Sequence, residues 1–321
     1  MKAMIMTAGS GTRLRPLTLE RAKPTVPLMG KPLIALILKK LRTMGISEFR
    51  LNLHTLPESI REAVRSFPEI ASNVSFSYEP TILGTGGGLS RNEPFFSEDT
   101  FVMVNGDIVF DFDIRPAIDF HVDNGALATL ALYPQSAPFT YTPIRFDSNH
   151  IIRSFPRLED HTPYGEPAYV FTGITVLSHD IFKFIRTGVF SDIVAEAYVP
   201  AIEKGLKICG YPVTGYWNDI GTPSRYLSTQ RDLFQRCAIS SSKILSKGAS
   251  VMEPELIGPN VSIQAGCVIE EDCVIEDAML WENCLVRKGS IIRHCILGKN
   301  MVAGGHFKNL VMTTNGEVSI D

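Results

Sequence analysis

The stretch MIMTAGSGTRLRPLT, residues 4–18, decides the fold of the first part of the chain. A short apolar run changes abruptly into small residues and then into Arg13 and Arg15. In an open α/β sheet, ligands bind beyond the carboxyl ends of the strands. Glycines there let backbone N–H groups approach phosphate oxygens, and arginines add charge in a planar fork. The pattern predicts a phosphate-binding loop after the first strand; the alternative is a simple tight turn before a helix.

Two common nucleotide-binding motifs do not fit this loop. A dinucleotide-binding fingerprint needs a third glycine where the chain has Leu14, and a P-loop needs Ser or Thr after Gly-Lys, where the chain has Pro32. The loop therefore indicates phosphate binding of a different kind.

Composition and charge limit the class of protein. The 321 residues are 45% hydrophobic and 20% charged with a net charge of −3, as expected for a soluble globular protein of two domains without a nucleic-acid partner. No secretory signal precedes the first strand, and the longest apolar runs are too short to span a membrane. Six scattered cysteines without a CxxC pair indicate reduced thiols, no zinc site and a cytoplasmic location.

Strand-like and helix-like segments alternate from residue 1 to about residue 235. Residues 31–45, for example, place Leu33, Ile34, Ile37, Leu38 and Leu41 on one helical face, and Gly45 can cap the end. Such alternation predicts βαβ units in a Rossmann-like, doubly wound, mostly parallel sheet. We expect this domain to cover residues 1–240, with residues 243–250 as a linker and a second domain over residues 241–321.

The C-terminal part has a period of six. One series is Ile257, Ile263, Ile269 and Ile275, with Trp281, Arg287 and Arg293 at the following positions. A second series is Val261, Cys267, Cys273, Met279, Leu285, Ile291 and Leu297. This hexapeptide pattern predicts a short parallel β-helix of two to three coils, with a β-sandwich as the alternative. Its flat faces favour a role in homo-oligomer assembly rather than in chemistry. The repeats resemble the left-handed β-helix domains of hexapeptide proteins.

Several blocks together resemble the sugar-1-phosphate nucleotidyltransferases, which make nucleotide sugars. The first pair is AGSGTRLRPLT followed by KPTVPLMGKPLI, and the others occur in the family's order over nearly all of the first domain. These further blocks are LGTGGGL at 83–89, VNGD at 104–107, FTGITVL at 171–177 and GYWNDIGTPSRY at 215–226. The hexapeptide tail is similar to that of the mannose-1-phosphate guanylyltransferase and glucose-1-phosphate nucleotidyltransferase branches. TGGG and VNGD are also similar to the N-acetylmuramate 1-phosphate uridylyltransferases, which lack such a tail.

The resemblance implies a reaction and a site. A sugar 1-phosphate oxygen attacks the α-phosphorus of a nucleoside triphosphate, and pyrophosphate leaves. Positioning and charge stabilisation dominate such chemistry, and no protein nucleophile is required. The metal Mg²⁺ prefers one or two carboxylates, and the resemblance assigns it to Asp107 and Asp219.

The remaining site residues also follow from the resemblance. Arg13 and Lys23 are implied as the catalytic, phosphate-contacting residues. The nucleotide-binding residues implied are Ala8, Gly9, Ser10, Gly11, Thr12, Arg13, Gly84, Thr85, Gly86 and Gly87. The sugar-binding residues implied are Asn105, Gly106, Thr172 and Gly173. For the glycines 84 and 86–88, we favour close approach to the nucleobase and ribose over a flexible linker.

One departure from the family pattern concerns the sugar phosphate. Many members carry Glu-Lys-Pro before the TGI strand, whereas this chain has RSFPRLED at 153–160, with Arg153 or Arg157 as candidate substitutes. The sequence therefore leaves the nucleobase and the sugar open.

Three functions compete at this point. A magnesium-dependent nucleotidyltransferase is favoured, with guanylyl transfer to mannose 1-phosphate first, and uridylyl or thymidylyl transfer to glucose 1-phosphate or N-acetylmuramate 1-phosphate as the alternative. A non-catalytic regulatory homologue that binds nucleotide sugar is the second, although it has no need of Arg13, Lys23, Asp107 and Asp219 together. A bifunctional enzyme with acyl transfer in the tail is the third, but the tail is short and offers only His294 and His306 as bases.

Overall fold

The computed structural model of the chain describes residues 1–96, 100–135, 141–155, 167–237 and 243–320, which form two compact units. We call them the sheet unit, with Met1–Gly9, Ile37–Pro57 and Val64–Trp217, and the coil unit, with Ser10–Leu36, Glu58–Ala63 and Asn218–Asp321. The predicted boundary between residues 240 and 241 lies outside the described residues and stays a prediction.

A seven-stranded sheet forms the centre of the sheet unit. In spatial order its strands are Ile208–Pro212, Ala128–Gln135, Ala168–Leu177, Phe101–Asn105, Lys2–Met6, Glu48–Leu53 and Val74–Tyr78. All neighbours pair in parallel except at Ala168–Leu177, which is antiparallel to both of its neighbours. The predicted Rossmann-like, mostly parallel α/β architecture is confirmed.

Helices follow several of these strands, as the alternating pattern predicts, and others belong to the coil unit. The α-helices are Leu17–Glu20, Leu33–Thr43, Pro57–Arg65, Pro68–Ala71, Gly84–Ser90, Arg115–Asn124, Val199–Glu203 and Pro223–Arg236. Short 3₁₀ turns lie at Thr12–Leu14, Lys23–Thr25, Glu93–Phe96, His179–Phe184 and Pro254–Leu256, and a π-helical turn at Val194–Tyr198. The five apolar residues predicted to share one face of Leu33–Thr43 are all buried, and Gly45 follows the helix at a φ of 85°.

The coil unit contains parallel strands that stack from coil to coil. One sheet consists of Lys243–Leu245, Val261–Ile263, Val274–Leu280, Ile291–Leu297, His306–Thr313 and Gly316–Ser319, of which the last pair is antiparallel. A second sheet consists of Ser250–Val251, Val268–Ile269, Leu285–Val286 and Val302–Ala303. The predicted β-helix-like tail is confirmed as stacked parallel coils; its handedness stays a prediction.

Two details of the tail differ from the sequence-based prediction. Residues 243–250 are not a linker, because Lys243–Leu245 and Ser250–Val251 pair with the next coil and add a coil to the expected number. The period of six also ends at Ile275. Ile263, Leu280 and Leu297 lie in register in successive coils. Along the chain, each of these residues follows the previous one by one residue fewer than three full hexapeptides contain. One step in each of these coils is therefore a pentapeptide.

The shortened step moves the inward positions of the later coils. The buried residues that continue the two series are Leu280, Val286, Ile292 and Leu297, and Ala278, Cys284, Ser290 and Cys295. Arg287, Leu285 and Ile291, which a strict period of six places inside, are exposed or half-buried. The hexapeptide pattern therefore does not end at Arg287. The inward-facing positions shift by one residue, and the buried core of the coils extends past this point.

The cysteines of the tail belong to this stacked core. All six cysteines of the chain are free thiols. The Cys267, Cys273 and Cys284 thiols donate to carbonyls of the following coil at 3.0–3.1 Å. A small apolar side chain that carries a weak donor suits this buried core, which explains the concentration of cysteines here.

Candidate active site

The first strand lies at the point where the order of the central sheet reverses. From Lys2–Met6 the next two strands of the chain extend to one side, and Phe101–Asn105 pairs on the other side. Met6 is in register with Asn105, and the Gly106 N–H donates to the Met6 carbonyl at 2.9 Å. The glycine loop and the turn that carries Asp107 therefore leave the sheet side by side, at the kind of switch point where open α/β sheets bind ligands.

A buried polar network holds the beginning of the glycine loop. Asn52 accepts the Thr7 N–H at 2.7 Å and donates to Glu79 at 2.8 Å, and Glu79 accepts the Leu83 N–H at 3.0 Å. Glu79 is fully buried. The network joins the loop after the first strand to the start of the helix Gly84–Ser90. Sequence reasoning missed it, although an asparagine between Leu51 and Leu53 in the strand Glu48–Leu53 is a usable signal.

The glycines at 84 and 86–88 are packed against the chain itself. A Cβ on Gly84 would lie 2.5 Å from the Ser191 carbonyl oxygen, and one on Gly87 would lie 2.3 Å from the Val189 carbonyl oxygen. The Gly86 N–H donates to the Ser191 carbonyl at 2.8 Å. Close approach explains these glycines, as the sequence indicates, but the structure shows protein atoms in that space. Contact with the nucleotide stays a prediction.

Thr85 also has a partner within the sheet unit. Its hydroxyl accepts the Ile193 N–H at 3.0 Å and donates to Asp192 at 3.4 Å. This hydroxyl holds the start of the helical turn that follows, and its predicted nucleotide contact is not tested by these bonds.

The predicted sugar-binding residues meet on neighbouring strands. The Asn105 side chain lies against Gly173, where a Cβ would be 2.8 Å from the amide nitrogen and where φ is 84°. Thr172 is fully buried, and its hydroxyl donates to the Ala131 carbonyl at 2.8 Å. Its own carbonyl accepts the Trp217 indole N–H at 2.8 Å. Asn105 and Gly173 thus pack against each other, whereas the Thr172 side chain has an internal structural role.

The rest of the signature loop belongs to the coil unit. Gly11 has a φ of 61°, and its carbonyl accepts the Thr18 hydroxyl at 2.8 Å. Thr12–Leu14 form a 3₁₀ turn that leaves the Arg13 side chain exposed. Lys23 is buried, and its Cβ lies 3.2 Å from the position a Cβ would take on Gly11. The predicted catalytic pair Arg13 and Lys23 therefore lies on one short, internally bonded segment.

Asp219 forms an ion pair with Arg225 in the coil unit. Asp219 has 13% of its side chain exposed, and Arg225 has 27%. Arg225 lies in the first turn of the helix Pro223–Arg236, whose N-cap Thr222 accepts the Arg225 N–H at 3.3 Å. The cap fixes the helix start, so the guanidinium faces the carboxylate that precedes it in the chain.

Arg225 is a cation of the site that sequence reasoning missed. Burial lowers the pKa of its guanidinium, and the positive charge of Arg13 lowers it further. Arg225 thus carries a second positive charge within electrostatic reach of Arg13, and its ion pair with Asp219 offsets part of that charge. Arg225 is part of the motif GTPSRY. Its position in the first helical turn after Asp219 was the sequence signal that could have identified it as a site residue.

Arg153 and Arg157 are the candidate substitutes for the absent Glu-Lys-Pro block. Arg153 is exposed and pairs with Asp147 at 2.7 Å. Arg157 lies outside the described residues. Neither residue gains support as a sugar-phosphate ligand.

The acidic residues suit magnesium more than a softer metal. Among the described residues, no group of three His, Cys, Asp or Glu side chains could hold a metal ion by itself. Mg²⁺ takes one or two carboxylates and completes its shell with water and substrate oxygens. Gly221 leaves room beside Asp219, because a Cβ there would lie 2.9 Å from Oδ2. Asp219 therefore fits this metal, and the same donor chemistry applies to Asp107 in the sheet unit.

Comparison with protein families assigns the chain to a class. Residues 2–236 match the nucleotidyl transferase family, and residues 239–316 match the family described as the GMPPB C-terminal domain. The chain therefore belongs to the nucleotidyl transferase family, and the resemblance seen in the sequence is confirmed.

Curated relatives cover most of the chain at low identity. A mannose-1-phosphate guanyltransferase of Emericella nidulans is 28% identical over an alignment of 324 positions, which covers 99% of this chain and 87% of the relative. The mannose-1-phosphate guanylyltransferase of Mycobacterium tuberculosis is 26% identical over 84% of this chain and 82% of the relative. A UTP–glucose-1-phosphate uridylyltransferase of Synechocystis is 26% identical over 86% of this chain and 83% of the relative.

A solved structure shares the fold. A putative glucose-1-phosphate thymidylyltransferase from Bacillus anthracis, in complex with a sucrose, superposes with a TM-score of 0.61 at 22% identity. The match covers 73% of this chain and 94% of that one. Within the ranges described here, no helix is both long and apolar enough to cross a membrane.

Proposed function

We propose that this protein transfers a nucleotidyl group from a nucleoside triphosphate to a sugar 1-phosphate, releasing pyrophosphate. Guanylyl transfer to mannose 1-phosphate is favoured, because mannose-1-phosphate guanylyltransferases recur among the relatives and the tail matches the GMPPB C-terminal domain. Uridylyl transfer to glucose 1-phosphate is the second candidate, favoured by the Synechocystis relative.

The switch point of the central sheet carries this proposal. The glycine loop and the Asn105–Gly106–Asp107 turn begin beside each other there, joined by the Gly106–Met6 hydrogen bond. A backbone free of side chains next to a carboxylate suits a polyphosphate with its counter-ion. The neighbouring Asn105, whose side chain packs against Gly173, would offer its amide to sugar hydroxyls.

The cations of the coil unit account for the chemistry. The transition state carries its charge on phosphate oxygens, so fixed positive charges stabilise it without a covalent intermediate. Arg13 and Lys23 would contact the triphosphate, with Arg225 as an additional cation whose guanidinium is already partly desolvated. A desolvated cation interacts more strongly with an oxyanion than an exposed one does.

Magnesium is proposed as the cofactor, with Asp107 and Asp219 as its protein ligands. When bound, the ion offsets negative charge on the phosphate oxygens. In the chain itself, Arg225 balances the Asp219 carboxylate. Asp107→Asn should lower kcat by about 100-fold or more, with little change in melting temperature, because the amide keeps the shape and loses the charge. Near-normal turnover at saturating magnesium would contradict the assignment.

Three further expectations belong to this proposal. The protein acts in the cytoplasm, in keeping with its six free thiols. It assembles into a homo-oligomer. It has a catalytic domain over residues 1–240 and a β-helix domain over residues 241–321, close to the two family matches.

A pyrophosphate-release screen tests the function. Purified full-length protein would be assayed with ATP, GTP, CTP, UTP and dTTP against mannose 1-phosphate, glucose 1-phosphate and N-acetylmuramate 1-phosphate, with magnesium. Turnover highest for GTP with mannose 1-phosphate is the expected result. Turnover highest for UTP or dTTP with glucose 1-phosphate would replace the favoured substrates. Binding of a nucleotide sugar without pyrophosphate release from any pair would favour a regulatory homologue and overturn the proposal.

A further inference from the structure

The N-terminal signature segment and the C-terminal coils belong to one compact unit. We define the signature segment as Ser10–Leu36, which carries Arg13 and Lys23. The coils with which it shares the coil unit come from the opposite end of the chain. The sequence pattern predicts a role for the coils in assembly alone, and that expectation does not explain these contacts.

Arg21 makes the first of these contacts. Its guanidinium lies 4.5 Å from the centre of the Trp281 ring and pairs with both carboxylate oxygens of Glu282. Trp281 is fully buried, and Arg21 has only 16% of its side chain exposed. A stacked guanidinium with a two-point carboxylate bond has one preferred orientation, so this contact fixes direction as well as distance.

Glu20 makes the second contact, one residue earlier. Its Oε2 atom accepts the Lys299 N–H at 2.8 Å. Gly298 makes the approach possible, because a Cβ there would lie 2.8 Å from the same oxygen. One backbone N–H of a coil thus binds this carboxylate, and the absence of a side chain at Gly298 allows the approach.

These two residues lie close in the chain to the phosphate-binding groups. Thr18 donates its hydroxyl to the Gly11 carbonyl at 2.8 Å, which ties the loop to the turn before Glu20. Lys23 follows Arg21 by two positions, and its Cβ packs beside Gly11. An unbroken series of bonds therefore leads from the coils to the loop that carries Arg13.

The helix that carries Arg225 is anchored on the same coils. Gln230, fully buried, accepts the Ser262 hydroxyl at 2.6 Å and donates to the Asn260 carbonyl at 3.1 Å. Arg231 pairs with Asp277 at 2.5 Å, and the His294 ring bonds to the same carboxylate at 2.6 Å. Both cation-bearing elements of the coil unit thus rest on one rigid stack.

We propose that the coil residues Trp281, Glu282 and Gly298 are positioning residues for triphosphate binding, acting through Glu20 and Arg21 on Arg13 and Lys23. This inference rests on the proposed function, since it takes the signature segment as the triphosphate site. A loop held in its bound geometry loses less entropy when the ligand arrives, so loosening the anchor weakens binding without removing any ligand contact. The coils then serve the chemistry as well as any assembly.

The test uses tail substitutions that leave the signature segment unchanged. Glu282→Gln removes the carboxylate charge that orients Arg21, and Gly298→Ala pushes against Glu20 and against the Thr313 methyl group. Each has a matched control elsewhere on the coils. Glu270→Gln removes the carboxylate paired with Arg287 at 3.0 Å, and Gly304→Ala adds a Cβ that meets only the Arg287 side chain at 3.5 Å.

Binding of magnesium triphosphate by calorimetry is the first measurement, with the best-bound of ATP, GTP, CTP, UTP and dTTP as the probe. Glu282→Gln and Gly298→Ala should each weaken binding by about five- to tenfold, whereas the controls stay within about twofold of wild type. In steady-state assays, KM for the triphosphate should rise while KM for the sugar 1-phosphate stays within about twofold. A purely structural role would leave this split absent.

The outcomes separate this inference from the proposed function. Equal triphosphate affinity in test and control variants, with folding verified by thermal melting, overturns the inference even if the enzyme is active. Weaker binding in the test variants alone supports it, even if no sugar 1-phosphate releases pyrophosphate and the proposed function fails. A wild-type chain that binds none of the five triphosphates overturns both. A uniform loss of folded protein in Gly298→Ala leaves the decision to Glu282→Gln, which changes no steric contact.

Discussion

Two glycine-rich stretches of this protein resemble each other in sequence and differ in what surrounds them. A Cβ on Gly9 would meet no atom within 4 Å, so the backbone there faces open space. A Cβ on any of the glycines at 84 and 86–88 would lie less than 3.0 Å from protein atoms, mainly of residues 189–191. The first stretch leaves room for a ligand, whereas the second leaves room for the chain. A cluster of glycines thus indicates that other atoms approach the backbone closely, but it does not show whether those atoms belong to a ligand or to the protein.

Gly11 is intermediate between the two cases. Its positive φ requires glycine for conformational reasons, and a Cβ would lie 2.9 Å from the Thr18 methyl group. The first stretch therefore has an open glycine at position 9 and a sterically confined glycine at position 11. This arrangement places Arg13 on a defined 3₁₀ turn.

The largest expected effect is on the charge that follows the open stretch. Arg13→Ala should lower kcat by about 1000-fold, because the charge on the departing pyrophosphate loses its planar, two-point partner. Arg13→Lys should recover part of the rate, since an ammonium supplies charge without the fork geometry. Steady-state kinetics of both variants would measure this. Wild-type kcat in Arg13→Ala would mean that the first stretch is a simple turn.

The next effect tests the packed stretch. Gly87→Ala gains about 1 kcal/mol in helix propensity, but its Cβ would lie 2.3 Å from a backbone oxygen, so we expect a net loss of about 2 to 3 kcal/mol in unfolding free energy. Urea unfolding would measure the loss. If triphosphate affinity fell while stability held, a ligand and not the chain would fill that space, and the comparison would be reversed.

A smaller effect is expected at the intermediate glycine. Gly11→Ala puts a side chain at a φ of 61° and presses on Thr18, which should cost about 1 to 2 kcal/mol of stability. Part of that strain should appear as weaker triphosphate binding, because Gly11 bonds to the turn that leads to Lys23. Unfolding and calorimetry on the same variant would separate the two. Unchanged stability would show that the loop is free to adjust.

The smallest stability effect belongs to the open glycine. Gly9→Ala meets no atom and needs no positive φ, so the unfolding free energy should change by less than about 0.5 kcal/mol. KM for the triphosphate should nevertheless rise by about fivefold, because the methyl group occupies space proposed for phosphate oxygens. Unchanged KM would leave the loop without a ligand and remove the contrast between the stretches.

The sequence by itself determined the architecture. The alternation of strand-like and helix-like segments before the tail was enough to predict a mostly parallel sheet. The spacing of apolar residues in each segment shows which of its faces is buried. The period of six likewise identified the stacked coils. The pentapeptide steps after Ile275 obscured only which residues of the later coils face inward. The motif blocks identified the nucleotidyl transferase family, because residues next to a switch point carry the chemistry whatever the rest of the chain does.

Tertiary structure alone decided which distant residues support the site. Nothing local in Glu20 or Arg21 indicates Gly298 or Trp281 as a partner, and nothing local in Gly87 indicates Val189. Arg225 was visible as a cation, but its proximity to Arg13 depends on how the coils hold both segments. Periodicity indicates whether a residue is buried, and a motif indicates which chemistry its residues perform. Contacts between the two ends of the chain depend on tertiary packing, which no local sequence pattern encodes.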